Sequence, residues 1–387
     1  MATHAGLLRA RDADETRVTP IELFFDLVYV LAVTQLTHQL LAHLSAEGAA
    51  ETLLLLVAVW GAWIYTTWIA NWFDPSTLPV RLLLVGAMLA SLIMSASIPE
   101  AFGARGLGFA GAYVALQVGR TVWVVVALGR DHELSSNFER VLVWLLASGA
   151  VWIAGALQEG NARSVLWTVA ILLELVAAWS GFRVPGWGRT RTLEWTIAGG
   201  HLAERCQLFV ILALGESIIV TGVGFSELAL STETVAAFFV AFVGSVALWW
   251  IYFDRGAELG MRVISESPDP GRLGRSAYSY FHLPMIAGVI VAAAADEVTI
   301  AHPSDPVTAT TAALVLGGPA LFLAGHGLFK WSLWESVPWS RVIAIGVLAA
   351  LIPAAAVSSA LVLASSATLV VVALAVRDTV VARKLGY

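Results

Sequence analysis

Glu22 and Asp26 lie four residues apart in the run Pro20-Ile-Glu-Leu-Phe-Phe-Asp-Leu-Val-Tyr-Val30, which is otherwise apolar and opens a stretch long enough to cross a bilayer. On a helix the two carboxylates share one face, one turn apart. At membrane depth each costs at least about 2–3 kcal/mol unless it faces a bundle interior, a wet cavity or a partner charge. Paired acids in that setting are equipment for holding a proton or a cation. The other residues able to serve such chemistry are Arg120, Glu204, Arg205, Glu216, His282 and His326, with His201 opening the same stretch as Glu204.

The elements that must position them follow from composition. Of 387 residues 58% are hydrophobic and 13% charged, about half the charge of a soluble domain at roughly 25%. The chain is therefore expected to be an all-α, polytopic transmembrane bundle. Apolar runs of spanning length occur near 21–43, 51–73, 79–98, 106–129, 138–157 and 163–182, and again near 197–223, 234–253, 276–297, 308–329, 340–363 and 365–383. That is about twelve spans. Asp74-Pro75, Pro99-Glu100, Pro185-Gly186, Pro268-Asp269-Pro270, Pro303 with Pro306, and Pro338 fall between them, and Ala364-Ser365-Ser366 is read as the last hinge.

The division is a first half over 1–182 with a short polar N-terminal tail, a cytoplasmic linker over 183–196, and a second half over 197–387. With the N-terminus inside, the basic residues gather on one side. The opposite side holds only Arg105 and Arg163, which places both termini in the cytoplasm. The tail carries Arg9, Arg11 and Arg17 but no apolar core with a cleavage site, so the first span is expected to act as the insertion signal. Trp72, Trp187, Trp195, Trp331, Trp334 and Trp339 are expected to be interfacial anchors. The acid that opens span one aligns with Glu204 of span seven, and Gln117 and Arg120 align with His326 and Lys330, as in a six-plus-six parallel repeat; any two apolar helices align nearly as well.

The direction of each span brings Glu22, Asp26, Arg120, His201, Glu204, Arg205, His282 and His326 to one cytoplasmic layer, where two cations face three acids. Arg205 diverges by about 100° from Glu204 and is predicted to pair with Glu22 or Asp26 within about 4 Å. A thinner outer group holds His38, Glu216 and Ser217, with Asp296 and Glu297 read as interface residues; Glu174 stands mid-span without a local partner. The plain alternative for the inner layer is a set of static ion pairs that fix helix packing. His201, His282 and His326 also raise an open zinc site of three imidazoles, although no His-x-x-x-His pair supports it.

No Walker loop, dinucleotide glycine pattern or Gly-x-Ser-x-Gly elbow is present, and no cofactor is expected. The single cysteine, Cys206, rules out an internal disulfide and a multi-cysteine metal cluster. The clusters Arg183, Arg189, Arg191 and Arg255, Arg262, Arg272, Arg275 are explained by topology and anionic lipid, so no nucleic-acid partner is expected. The partners expected are the lipid bilayer and a small solute or ion.

Four ordered motifs carry a resemblance. They are Val18-Thr-Pro-Ile-Glu-Leu-Phe-Phe-Asp-Leu-Val-Tyr-Val-Leu-Ala-Val-Thr-Gln-Leu36; His201-Leu-Ala-Glu-Arg-Cys-Gln-Leu-Phe-Val-Ile-Leu-Ala-Leu-Gly-Glu-Ser-Ile-Ile219; Tyr280-Phe-His-Leu-Pro-Met-Ile-Ala-Gly288; and Gly325-His-Gly-Leu-Phe329. The chain resembles the bacterial low temperature requirement protein A (LtrA) family, which is named for a cold-growth phenotype and not for a reaction. The resemblance implies a multi-pass bacterial membrane protein in which Glu22, Asp26, His201, Glu204, Arg205, Glu216, His282 and His326 are family-typical polar positions. Three functions compete: a proton- or ion-coupled secondary transporter, an intramembrane metal-dependent lipid-modifying enzyme using the three histidines, and a non-catalytic structural or sensory protein.

Overall fold

The computed structural model describes residues 6–9, 17–226 and 228–384, so Arg11 of the tail lies outside the described residues. The helices run α1 (Pro20–Ala42), α2 (Ala46–Trp72), α3 (Leu78–Ser97), α4 (Gly106–Leu128), α5 (Ser135–Ala156), α6 (Asn161–Trp179), α7 (Gly199–Ser226) and α8 (Thr232–Phe253). They continue as α9 (Gly256–Ser265), α10 (Pro270–Leu273), α11 (His282–Ala301), α12 (Ala309–Trp334), α13 (Trp339–Ala350), α14 (Ile352–Ala355) and α15 (Ala360–Lys384), with a π-helical turn over Gly274–Tyr280 before α11.

Among the described residues, eleven helices are long and apolar enough to cross a membrane, and Trp339–Ala355 is a shorter apolar helix. Along α3 the exposed Leu78, Leu82, Val85, Leu89 and Leu92 form a stripe at helical spacing, a face suited to acyl chains and not to water. The bilayer is the solvent of this surface.

The end of the chain departs from the expected spans. Ala364-Ser365-Ser366 lies inside α15, and the break comes earlier, where Pro353 opens the single turn of α14 and the chain turns through Val357–Ser359. The loop over 303–307 receives it: Ala360 N donates to Asp305 O (3.1 Å), Leu361 N to Pro303 O (3.0 Å) and Val307 N to Ser358 O (3.3 Å). Backbone groups freed by the break thereby find partners, which a buried chain requires. Two expected anchors are also redirected. Trp72 and Trp195 pack together (ring centroids 5.3 Å) with Phe138, and Trp72 Nε1 donates to Thr196 O (2.6 Å), whereas Trp187, Trp331 and Trp339 remain exposed.

The chain resolves into two compact units. The first holds the described residues up to Gln39 with Glu47–Arg205 and Ser267–Arg272; the second holds Leu40–Ala46, Cys206–Glu266 and the described residues from Leu273 onward. In the first, α3 packs on α4, α4 on α5 and α5 on α6. In the second, α11 packs on α12, and α8 on α15. Each unit carries its own polar groups.

Candidate functional site

In the first unit the start of α1 creates the site. Thr19 precedes Pro20, whose ring fixes φ for the first helical turn and whose missing N–H would have had no partner there. Glu22 then reaches back: its Oε2 accepts from Thr19 N (2.9 Å), the return half of a capping box, and from Thr19 Oγ1 (2.8 Å). The same oxygen receives Arg9 Nη2 (3.2 Å), and Oε1 receives His201 Nε2 (2.8 Å) with Arg205 Nη1 at 3.2 Å. Glu22 is fully buried, and both of its oxygens are saturated.

Arg9 arrives because residues 7–9 pair with the end of α2: Arg9 N donates to Trp72 O (2.8 Å), and Asp74 N to Leu7 O (2.9 Å). By sequence Arg9 counted only toward topology. Its signal was a deficit, since the inner layer held fewer cations than acids.

Asp26, one turn further, is differently served. Its Oδ1 accepts from Arg205 Nη2 (2.5 Å) and from Trp63 Nε1 (2.7 Å), while Oδ2 has no hydrogen-bond partner among the described residues. Arg205 therefore joins both acids of α1, as its angle from Glu204 requires, and it packs over the rings of Phe25 and Trp63. Glu204 turns to the N-terminal segment and accepts from Val18 N (3.3 Å).

The histidine's proton is placed by its neighbours. Asn71 Oδ1 accepts from Ala198 N (2.8 Å), which orients the amide so that Nδ2 donates to Ala198 O (2.9 Å) and to His201 Nδ1 (3.1 Å). His201 then donates from Nε2 to Glu22 as a neutral imidazole. Two guanidiniums, Arg9 and Arg205, balance two carboxylates, Glu22 and Asp26. In a low-dielectric interior a self-neutral group of this kind is the arrangement that survives desolvation.

Arg120 does not join these acids. It reaches α2, where Nη1 donates to Thr66 Oγ1 (2.5 Å) and Ala62 O (3.1 Å), and its Nη2 donates to Gln117 Oε1. Gln117 Nε2 donates to Tyr113 OH (3.0 Å), Tyr113 OH to Glu174 Oε2 (2.5 Å), and Trp152 Nε1 to Glu174 Oε1 (3.1 Å). Glu174 thus has partners after all, supplied by α4 and α5. Every bond points the same way, from cation to carboxylate. Glu174→Gln should lower stability by about 1–3 kcal/mol, because Trp152 can only donate and holds the amide oxygen, which turns the NH2 onto Tyr113 OH and leaves the hydroxyl proton without an acceptor. Thermal unfolding in detergent checks this, and a variant as stable as the wild type would refute it. Adding Tyr113→Phe should lower stability further, because it also takes the acceptor from Gln117 Nε2.

The remaining expected residues lie in the second unit. His282 Nδ1 donates to Ala277 O (2.9 Å) and Nε2 accepts from Tyr252 OH (2.7 Å), between a stacked Tyr278 ring (5.3 Å) and the edge of Phe329 (5.1 Å). Arg341 Nη2 lies 3.5 Å from His326 Nδ1 and pairs with Asp378 at 2.5 Å. Glu216 is buried in α7 and makes no hydrogen bond or ion pair with another described residue. The three-imidazole zinc arrangement finds no support in these contacts: His201 and His282 spend both ring nitrogens, and no three His, Cys, Asp or Glu side chains among the described residues are grouped to hold a metal. Sequence alone does not single out Trp63, Asn71, Tyr113 or Tyr252, since isolated Trp, Tyr and Asn residues within apolar spans carry no spacing signal.

These buried polar groups stand where the sequence motifs lie, and the comparisons agree with the motifs. The profile of the bacterial low temperature requirement A protein (LtrA) matches residues 17–376. The uncharacterized protein RA0937 of Rhizobium meliloti (strain 1021) is 39% identical over 350 residues, which cover 90% of this chain and 85% of that protein. No solved structure matches the chain. A match over nearly the whole chain, together with a relative of this identity and coverage, places the protein in the bacterial LtrA family.

Proposed function

We propose that this membrane protein is a proton-coupled secondary transporter and that the Glu22–Asp26–Arg205–His201 group is its coupling element. One observation carries the reading: in a group where every other carboxylate oxygen is engaged, Asp26 Oδ2 has no donor among the described residues, so a proton can be added there without displacing a bond. Protonation of Asp26 removes the charge that holds Arg205 Nη2, and Arg205 keeps Glu22 as its remaining acid. The contact between α1 and the start of α7 then weakens while charge stays inside the protein. Intramembrane acids beside a guanidinium and an imidazole serve proton pathways in this way. Both termini lie on the cytoplasmic side in this reading, with Trp339–Ala355 completing an even number of crossings.

Proteoliposomes with an interior pH reporter test it. Across a panel of organic acids, amino acids, sugars and inorganic cations, at least one gradient should drive protein-dependent proton movement, and Asp26→Asn and Glu22→Gln should abolish it. No protein-dependent flux across the panel, or flux unchanged in Asp26→Asn, removes the proposal.

A further inference from the structure

In the second unit, α8, α11, α12 and α15 line a partly open cavity of about 40 Å³. It lies among the apolar helices, yet its lining includes the oxygen-bearing side chains of Asp296, Thr299, Ser245 and Thr368, together with Val315 and Pro319. Asp296, read from sequence as an interface residue, is half-buried and lines this cavity. It makes no hydrogen bond or ion pair with another described residue, and no Lys, Arg or His lines the cavity. A lone carboxylate with hydroxyls around it and no counter-charge is costly among transmembrane helices unless something neutralises it.

Backbone chemistry adds to the oxygen set. Pro319 sits inside α12 and has no N–H, so the carbonyl of Val315, four residues earlier, loses its helical donor. Carbonyls released in this way are tolerated in a membrane where they line a cavity, and in transporters they coordinate ions. Thr299 commits its proton to Ala295 O (2.7 Å), which leaves only lone pairs on its oxygen. Thr368 makes no hydrogen bond with another described residue. Gly244 leaves α8 without a side chain at this point: a Cβ there would touch Thr368 Oγ1 at 3.4 Å.

We propose that this cavity binds a dehydrated alkali cation of sodium size. All-oxygen donors select hard cations, and the absence of imidazole and thiolate disfavours zinc and copper. One carboxylate neutralises one positive charge, whereas a divalent ion would leave a net charge in a low dielectric. The volume admits an ion with a water but no organic solute, since small-molecule pockets begin at about 300 Å³. The site does not depend on the transport reading: binding is measured without flux, so a chain that moves nothing can still show it, and a chain that transports can fail it.

The test uses the full-length protein in detergent, with unfolding followed by tryptophan fluorescence while sodium chloride replaces choline chloride at constant ionic strength. In the wild type the unfolding midpoint should rise saturably with sodium, the folded-to-unfolded ratio gaining about 100-fold when sodium reaches about 100 times its dissociation constant. Asp296→Asn should not respond. Thr368→Val and Gly244→Ala, which remove a ligand or crowd the space without disturbing backbone contacts, should need about tenfold more sodium or beyond. The proposal is overturned if the wild type shows no rise specific to sodium, if calcium does as well at equal concentration, or if these variants respond like the wild type. Should Asp296→Asn fail to fold, Thr368→Val and Gly244→Ala decide the matter alone.

Discussion

Arg205→Ala should destabilise the folded protein by roughly 3–5 kcal/mol, the cost of leaving a buried carboxylate without its cation. The acid so stranded is Asp26, because among the described residues Arg205 is the only cation paired with it and Trp63 supplies the one other hydrogen-bond donor. Glu22 is less exposed to the loss, since Arg9, His201 and Thr19 still donate to it. Rescue should therefore be selective. Arg205→Ala with Asp26→Leu removes both halves of the pair and should recover much of the stability, whereas Arg205→Ala with Glu22→Leu still leaves Asp26 without its cation, takes the acceptor from His201 Nε2, removes the α1 cap and should be worse than either single change. Folded yield by size exclusion and the thermal midpoint in detergent report both effects. Equal rescue by the two acids, or a deeper loss in the Asp26 double variant, would contradict the assignment of Arg205 to Asp26.

The second large effect is expected where α11 and α12 meet. A Cβ on Gly318 would fall 2.7 Å from Ala292 N and 2.9 Å from Ala292 Cα; one on Gly288 would fall 2.8 Å from Gly318 O; and one on Gly325 would fall 2.8 Å from Met285 N. These neighbours are backbone, which cannot turn aside, so the two helices must part. Gly318→Val should cost at least the roughly 1–3 kcal/mol typical of overpacking, and Gly288→Val a similar amount. Because Ala292, Asp296 and Val315 lie along this seam, parting the helices should also abolish the sodium response of any folded remainder. Gly86→Ala is the control: nothing lies within 4 Å of the added carbon, and the change should be neutral or gain up to about 1 kcal/mol of helix propensity. Close packing of small residues in place of a hydrophobic drive is how helices associate in a bilayer. If Gly318→Val and Gly86→Ala unfold at the same temperature, the seam is not as close as these distances indicate.

Sequence by itself determined the class of the protein and the places where charge enters the membrane. Span length, the scarcity of charge and the Pro-rich breaks are local properties, legible residue by residue, and they yield an all-helical membrane protein whose described residues hold eleven long apolar helices. The pairing of Arg205 with the acids of α1 was also legible, because helical geometry turns it away from Glu204 and the energy of a buried charge admits few partners. Tertiary structure alone decided which partner each polar group takes. Arg9 reaches Glu22 only because residues 7–9 lie against the end of α2; Arg120 pairs through Gln117 and Tyr113 toward Glu174 and not with Asp26; and Asp296 lines a cavity with Thr299, Ser245 and Thr368. Apolar length and desolvation cost are summed along the chain, whereas a hydrogen bond a few ångströms long depends on how helices far apart in sequence rotate and approach, and no local pattern encodes that.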